Sequence, residues 1–551
     1  MKLKRLAALF LAGCMIASAL PVSAEMLPDV EESAGEDAPL ADTQEITYVL
    51  SNEPDGIDPG ITNNSFASTF LVNCFEGLAT YDSEGNVIPG VAESWDISDD
   101  GTVYTFHLRE GLKWSDGTPL TANDFVYSYK RVLDPATGGQ YVNMLTDYVT
   151  GAAEFYAGEG SEEDLGIKAV DDQTLEITLM KPAAWFIDMV TMWVWDPVQE
   201  ATITANGDQW TNSPDTYICN GPFKITDMSM GEYVELSKNE NYWDAENVTL
   251  EKITLRYVLD TATALSAYES GEVDGINTIP TSDVARLKAE GAGVQTAASF
   301  GTTYYLMNCS KAPYDNPLVR KALNLAVDRE AIINNVLQVE GLPAYNLIGP
   351  GYIVDGTDFS EGDSNWDLSA TADVEAAQAA LAEAGYPNGE GFPTMQLSYY
   401  SSDTVKKVVE AMAEMFETNL GIEVEITSAD WAVFYEDVQA GNYEVAAMGW
   451  SADYLHPMSF LPLLKTGDVS NLSFYSNPDY DALVEQVMTE TDAAKGVELM
   501  KQAEALAMPD YPFLNLYYKS SNYAMKDYVT GYFMNASSSL FFKGAKVIAA
   551  E

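Results

Sequence analysis

The chain has 551 residues, and 28 Lys and Arg against 84 Asp and Glu give it a formal net charge of −56 at pH 7. Nucleic acids and anionic lipid surfaces are bound through Lys and Arg, so this excess of acid disfavours both as partners. A composition of 47% hydrophobic and 11% aromatic residues excludes global disorder. The length predicts about three or four domain-sized units.

The N-terminus is typical of an export signal, which we assign to residues 1–24. A basic start at residues 2–5 precedes an apolar run over residues 6–20, and residues 22–24 (VSA) form a small-residue cleavage site. The mature protein is therefore predicted to be extracytoplasmic, in the periplasm or at the outer face of the cell membrane.

A second way of processing competes with this cleavage. Residues 11–14 (LAGC) resemble a bacterial lipoprotein box, in which Cys14 would carry a lipid anchor, and an uncleaved anchor helix is a further alternative. Cleavage after Ala24 is favoured because the apolar run continues for six residues beyond Cys14. No later stretch approaches the roughly 18 to 20 apolar residues of a membrane span.

The next segment, residues 25–45, is acidic and contains no Lys or Arg. Such a composition buries too little apolar surface to fold, which predicts a disordered spacer. The first strand is expected at residues 46–50 (ITYVL), where the globular part begins.

Short strands and helices follow with clear boundary signals. Residues 103–108 (VYTFHL) alternate between turn dipeptides and predict a strand. Thr121, with Asp124 three residues later, predicts the start of a helix. Farther along, Asp373 is a candidate N-cap of a helix that runs to Ala384 and stops at a glycine.

One more helix is predicted over residues 404–419. Its apolar residues recur at helical spacing, and Gly421 closes it. A strand over residues 422–427 is predicted to follow.

The sequence contains few of the residues and motifs that are typical of enzymes. His107 and His456 are the only histidines, and no nucleophile elbow, zinc-binding HExxH, phosphate loop or dinucleotide fingerprint is present. His107 alternates with apolar residues in its strand and is interpreted as structural. Carboxylate pairs stay open, since 84 acids make coincidental pairs inevitable. We predict that the protein is not an enzyme and that it has no catalytic residue, no cofactor and no metal site. Cysteines 14, 74, 219 and 309 contain no CxxC pair that could serve a zinc or redox site.

A series of motifs carries a resemblance to a known family. The chain closely resembles the bacterial extracellular solute-binding proteins of family 5, and within them the oligopeptide-binding proteins of peptide ABC importers. The resemblance covers residues 46–551, and the number and order of its blocks make it specific. The blocks are residues 75–78 (FEGL), 91–95 (VAESW), 104–109 (YTFHLR), 113–119 (KWSDGTP), 124–128 (DFVYS), 220–223 (NGPF), 241–243 (NYW), 270–274 (SGEVD), 319–323 (VRKAL) and 381–386 (LAEAGY).

The resemblance implies an α/β fold, the two-lobed periplasmic-binding-protein type 2 fold with an extra third domain and the ligand at the interdomain hinge. Most motif residues have a scaffold role: Trp95 and Trp114 are expected in the core, and residues 116–119 form a turn. The implied domains are residues 46–75, 201–300 and 521–551 (domain I), 76–200 (domain II, the extra domain) and 301–520 (domain III).

The resemblance also implies a ligand site. The aspartate of the segment 449–454 (GWSADY) pairs with the free α-amino group of a peptide in oligopeptide receptors, and the flanking backbone extends the peptide as a strand. That aspartate is Asp453 here, and its alternative role is a solvated loop acid. Trp431 has the alternative role of a plain core residue. The implied ligand-binding residues are Asp453, Trp450, Gly449, Ser451, Trp431, Tyr141, Asn63, Asn64 and Ser65.

Two family features are missing. Basic residues that clamp a peptide's C-terminal carboxylate in some members are replaced by Ala447 and Val405, although Lys519 is a candidate for that anchor. The positions of a disulfide found in some members are Ser451 and Gly301. Cys74, Cys219 and Cys309 are expected to be buried free thiols, with one pair among them left open.

The implied function is capture of short peptides outside the cell and their delivery to a membrane ABC permease and its ATPases, by a monomer that binds no nucleic acid. Three alternatives remain: a family member for another solute, such as a nickel chelate, haem or an oligosaccharide; a peptide sensor not coupled to import; and a secreted enzyme. Asp453 favours peptides, because a sugar has no amine to pair with it.

Overall fold

The computed structural model describes residues 38–549, apart from Asp55, Asn64, Glu340, Asp355, Asp453 and residues 536–538. The side chains of seven further residues are not described: Ser65, Thr281, residues 298–300, Asp403 and Ala432. The predicted export signal, Cys14 and most of the predicted spacer lie outside the described residues.

The chain alternates strands and helices. The strands are β1 (Glu45–Leu50), β2 (Ala79–Tyr81), β3 (Val87–Pro89), β4 (Ala92–Ile97), β5 (Val103–Leu108), β6 (Ile167–Asp171), β7 (Thr174–Thr178), β8 (Phe223–Ser229), β9 (Tyr233–Lys238), β10 (Lys252–Tyr257), β11 (Gly275–Ile276), β12 (Val294–Met307), β13 (Leu342–Pro343), β14 (Ile353–Val354), β15 (Thr357–Asp358), β16 (Met395–Tyr400), β17 (Val424–Ala429), β18 (Val445–Ser451), β19 (Phe513–Met525), β20 (Val529–Thr530), β21 (Phe533–Met534), β22 (Leu540–Phe541) and β23 (Lys546–Val547). The α-helices are α1 (Ser68–Cys74), α2 (Ala122–Val132), α3 (Asn143–Thr146), α4 (Ala152–Tyr156), α5 (Phe186–Met189), α6 (Glu200–Asn206), α7 (Thr261–Ser270), α8 (Thr281–Ala289), α9 (Pro317–Leu325), α10 (Arg329–Ala331), α11 (Val374–Glu383), α12 (Asp403–Leu420), α13 (Trp431–Gln439), α14 (Pro478–Val487) and α15 (Ala493–Ala507).

One mixed sheet runs through most of the molecule, in the order β17-β16-β18-β12-β19-β11-β1-β10-β9-β8 with β13 added beside β19. The two long strands β12 and β19 are antiparallel and connect its two halves. Residues 294–298 pair with residues 520–524 in one half, and residues 302–307 pair with residues 513–518 in the other. The register shifts between Ala298 and Thr302, so an irregularity lies where the strands pass from one half to the other.

A separate antiparallel sheet, β4-β5-β7-β6, belongs to the segment between β1 and β8. Its buried residues join the largest hydrophobic core, which also takes in α1, α2 and much of α14 and α15. A second core lies among α9, α11, α12 and β16, and a third among α7, α8 and β11. No helix of the described residues is both long and apolar enough to span a membrane.

Local sequence signals set several boundaries correctly. Helix α2 begins after Thr121, whose backbone N–H donates to the Asp124 carboxylate at 2.7 Å. Helix α11 begins after Asp373, whose carboxylate accepts from the Ala376 N–H at 3.0 Å. Helix α12 ends at Gly421, which has the left-handed φ of 70° that favours glycine. These predictions are confirmed, as is the strand at residues 103–108.

Two boundaries differ from prediction. The spacer predicted for residues 25–45 ends earlier, because residues 38–44 join the fold: Leu40 pairs with Ile548, and the Gln44 side chain bonds Val547. The strand predicted at residues 422–427 lies at 424–429, since its extent follows its parallel partner β16 rather than local composition.

Two of the motifs meet in the core. Glu76 of the FEGL motif accepts hydrogen bonds from the Tyr242 hydroxyl and the Trp243 indole of the NYW motif. The Arg109 guanidinium lies 3.7 Å from the centre of the Trp243 ring. Trp114 is 1% exposed. These motif residues hold the scaffold, as the sequence predicted.

A buried acid predicts a pH-dependent stability. Burial raises the pKa of Glu504 on α15 to about 8, with the nearby Asp363 charge adding to the shift. The unfolded chain loses this proton near pH 4.5 while the folded chain keeps it, so the free energy of unfolding should fall as pH rises from about 5 to 8. Glu504→Gln should remove that part of the decline in urea melts at pH 5, 7 and 8.5. Glu498→Gln, exposed on the same helix, serves as control; equal pH slopes for both variants would contradict the assignment.

Candidate ligand-binding site

Strand β18 has an open edge. On one side it pairs with β12 along its whole length, from Val445 opposite Met307 to Ser451 opposite Gly301. On the other side it pairs with β16 at only two positions, Val445 and Ala446, among the described residues. Residues 448–451, the open edge of β18, therefore present backbone N–H and C=O groups beyond the point where β16 diverges. Such an edge can accept another extended chain.

Three predicted site residues, Gly449, Trp450 and Ser451, lie on this open edge. Ser451 is exposed, and its hydroxyl accepts a hydrogen bond from the Lys519 ammonium at 2.9 Å. The Trp450 indole donates to the Ser459 hydroxyl at 3.5 Å. Asp453, which follows two residues later, lies outside the described residues.

An aromatic cluster surrounds Tyr400 at the end of β16, the strand next to β18. Trp431 is 51% exposed, so it is not a plain core residue. Its ring stacks on Tyr435 with centroids 5.2 Å apart and meets the edge of Tyr400, at the end of β16, also at 5.2 Å. Phe434 completes this aromatic cluster. Sequence reasoning singled out Trp431 alone, although the spacing i, i+3, i+4 at the start of a helix could have indicated Phe434 and Tyr435.

A second group of predicted residues lies at the junction between β1 and the antiparallel sheet. The Asn63 N–H donates to the Gln140 side chain at 3.2 Å, and Tyr141 packs edge-to-face on Trp193 with centroids 6.0 Å apart. The Trp193 indole donates to the carbonyl of Thr62 at 2.8 Å. Gln140 and Trp193 thus hold the segment that carries Asn63.

The other two predicted residues of this segment are Asn64 and Ser65. Asn64 lies outside the described residues, and Ser65 begins a short 3-10 helix, Ser65–Ala67. Among the described residues, no hydrogen bond or ring contact joins this second group to the open edge of β18.

Two cavities lie among the described residues, and one of them adjoins the Asn63 segment. One, of about 220 Å³, is lined by Phe66 and Thr69 after the Asn63 segment and by Ser521 of β19. The other, of about 260 Å³, lies among Trp185, Asp188 and His456 and contains none of the predicted site residues. Burial lowers the pKa of His456 to about 3, and its ring accepts from the Met458 N–H, so this histidine is neutral.

Ala447 and Val405, which occupy the positions of the missing carboxylate clamp, are at least partly buried. Ala447 is 3% exposed and belongs to the second core, and Val405 packs against that core.

Cys74 and Cys219 are buried free thiols and Cys309 is a partly buried one. His107 bonds Asp96 at 2.8 Å, in keeping with a structural role. Within the described ranges, no cluster of three or more His, Cys, Asp or Glu could hold a metal ion.

Comparisons with known proteins agree with this architecture. Residues 86–471 match the description "Bacterial extracellular solute-binding proteins, family 5 Middle". The periplasmic oligopeptide-binding protein OppA of Salmonella typhimurium is 35% identical over 497 residues, 90% of each chain.

Solved structures extend the match to the fold. The unliganded open form of the periplasmic murein tripeptide-binding protein MppA has a TM-score of 0.82 at 30% identity, covering 94% of this chain and 99% of that one. Haemophilus influenzae OppA in complex with the peptide RPPGFSPFR has a TM-score of 0.71 at the same identity, covering 93% and 100%. The fold is therefore the two-lobed α/β type 2 fold with an extra domain. The chain belongs to the bacterial extracellular solute-binding proteins of family 5.

Proposed function

We propose that this protein captures short peptides outside the cell and delivers them to a membrane ABC permease and its ATPases, without chemistry of its own. The names of similar proteins support this, since they are oligopeptide-binding and murein-tripeptide-binding proteins. The protein acts as a monomer and needs no cofactor. Export follows cleavage after Ala24, with a lipid anchor at Cys14 as the alternative.

The observation that carries the proposal is the open edge of β18. A peptide that adds to this edge forms backbone hydrogen bonds, which are the same for every sequence. Trp431, the exposed member of the aromatic cluster at the end of β16, offers apolar contact without demanding a particular side chain. An oligosaccharide or a haem has no extended backbone of amides that could pair in this way.

The charged anchor of the peptide is Asp453, which would hold the α-ammonium group. A bound ammonium enclosed in a cleft requires a carboxylate partner. Asn63, Asn64 and Ser65 would approach the peptide from the other lobe, with Tyr141 behind them.

Closure would bring these two groups together. Domain I comprises residues 46–75, 201–300 and 521–551, domain II residues 76–200 and domain III residues 301–520. The ligand is enclosed between domains I and III, and the register shift in β12 between Ala298 and Thr302 serves as part of the hinge.

The first experiment identifies the ligand. Protein purified from its own cells is denatured, and the released small molecules are analysed by mass spectrometry. Short peptides are the expected result. A single non-peptide solute, such as a nickel chelate, would overturn the proposal.

Closure gives a second expected result. With a saturating peptide from that set, small-angle scattering should show a smaller radius of gyration. The melting temperature should rise, because binding to the folded state alone adds about 2.7 kcal/mol at a hundredfold excess over the Kd. An unchanged radius of gyration with a peptide shown to bind by calorimetry would contradict the hinge.

A further inference from the structure

Lys519 occupies an unusual place in the central sheet. It lies on β19 between Tyr518, opposite Thr302, and Ser520, opposite Ala298. That is the register shift where the long strands pass from one half of the molecule to the other. Its side chain is therefore anchored at the boundary between the two halves of the sheet.

The lysine side chain crosses a neighbouring strand. Strand β12 lies between β19 and β18, yet the Lys519 ammonium reaches the Ser451 hydroxyl on β18 at 2.9 Å. It can do so because Gly301 has no side chain: a Cβ there would lie 2.8 Å from the Lys519 Cδ. A Cβ at Gly449 would lie 3.8 Å from the Lys519 Cε, an ordinary contact, so only Gly301 is required to leave the path open. The space left by the absent Gly301 side chain, the Gly301 slot, thus lets the ammonium reach Ser451 at the end of β18.

Among the described residues, no carboxylate forms an ion pair with the Lys519 ammonium. The partner of the Lys519 ammonium is a neutral hydroxyl, and burial alone lowers the pKa of this lysine. A partly buried ammonium without a carboxylate carries a desolvation penalty that an anion can offset. Ser451 beside it is exposed, so the anion can come from a molecule bound at this edge.

We propose that Lys519 and Ser451 form an anion subsite that pairs with a carboxylate of the bound peptide. The inference rests on the proposed function, and it adds a preference to it: peptides that place a carboxylate over the Gly301 slot bind more tightly than their neutral counterparts. The carboxylate is either an acidic side chain or the C-terminus of a short peptide. In a chain with 84 acids against 28 bases, this lysine supplies the local attraction that the whole protein lacks for acidic ligands.

Calorimetry on matched peptides tests the subsite. The first set contains amidated alanine tetrapeptides with Glu or Gln at each of the four positions, which isolates side-chain carboxylates. The second set compares free-acid and amidated alanine peptides of two to five residues, which isolates the C-terminal carboxylate. For the wild type, at least one pair is expected to favour the carboxylate tenfold or more, about 1.4 kcal/mol.

The variant Lys519→Met keeps the length and apolar body of the side chain and removes its charge. We expect it to reduce that preference to less than twofold, to bind the neutral peptide of the pair within about threefold of the wild type, and to melt no lower than the wild type. Lys321→Met is the matched control, since Lys321 on α9 pairs with Asp367, and it should keep the full preference.

Each other outcome has a distinct meaning. A preference that survives Lys519→Met, or a wild type that binds peptides with no preference in either set, overturns the subsite and leaves the proposed function standing. An equal loss of charged and neutral peptides in Lys519→Met also overturns it, since the residue would then be structural. A wild type that binds none of the peptides overturns the proposed function and the subsite with it.

Discussion

Replacing Asp453 with asparagine is expected to lower the affinity for peptides with a free α-amino group by roughly 30-fold to a few thousand-fold. Removing one member of a buried charge pair in an interface costs about 2 to 5 kcal/mol, at about 1.4 kcal/mol per decade of affinity. Asparagine keeps the shape of the side chain and removes the charge. The proposal places the α-ammonium against this carboxylate, so the loss should appear with any peptide sequence.

N-acetylated peptides separate a specific ion pair from general damage. They should bind the wild type poorly, and Asp453→Asn should cost them much less than it costs free-amine peptides. Calorimetry on the four combinations of protein and peptide measures the coupling directly. Asp479→Asn, an exposed acid on α14, should change neither affinity. Equal losses for free and acetylated peptides would refute the role of Asp453.

The two subsites can be told apart by their chemistry. Asp453 responds to the N-terminal amine of the ligand, whereas Lys519 responds to a carboxylate. If both act, a peptide with a free amine and a well-placed acid should lose affinity in each single variant, and an acetylated neutral peptide should lose in neither. The preference for one peptide over another would then arise from two charged contacts placed on a backbone edge that accepts any sequence.

Helix ends and turns could be predicted because their signals are local. Thr121 with Asp124, and Asp373 with Ala376, each satisfy backbone N–H groups within one helical turn, so the sequence alone contains the interaction. The position of the first folded residue could not be predicted in the same way. Residues 38–44 join the fold through Val547 and Ile548, about 500 positions away, and composition holds no trace of that contact.

The candidate site was predictable only in part, for the same reason. The segment 449–451 was indicated by its resemblance to a family motif, and Trp431 by the same resemblance. The open edge of β18 depends on where β16 diverges, and the path of Lys519 depends on Gly301, 218 positions earlier in the chain. Both features are set by strand pairing across the central sheet, so they required the structure.

Helix α2 holds the chain just before Asn63 through a buried ion pair, and breaking this pair should have the largest effect on stability. Arg131 on α2 donates two hydrogen bonds to the Asp58 carboxylate, at 2.6 and 2.9 Å, and both side chains are 10% exposed. The Trp210 indole donates to the same carboxylate at 2.8 Å. Arg131→Met leaves a buried carboxylate without its counter-charge, which should cost about 3 to 5 kcal/mol in the free energy of unfolding.

The adjacent residue provides a matched control for this loss. Lys130 on the same helix pairs with Glu162 on the surface, and Lys130→Met should cost less than about 1 kcal/mol. Both are measured by urea unfolding at neutral pH. The double variant Asp58→Asn with Arg131→Met should be less destabilised than the sum of the two single variants, because it no longer buries an unpaired charge. If Arg131→Met costs no more than Lys130→Met, the ion pair does not hold the Asn63 segment to α2. The contacts of this segment with Gln140 and Trp193 would then hold it instead.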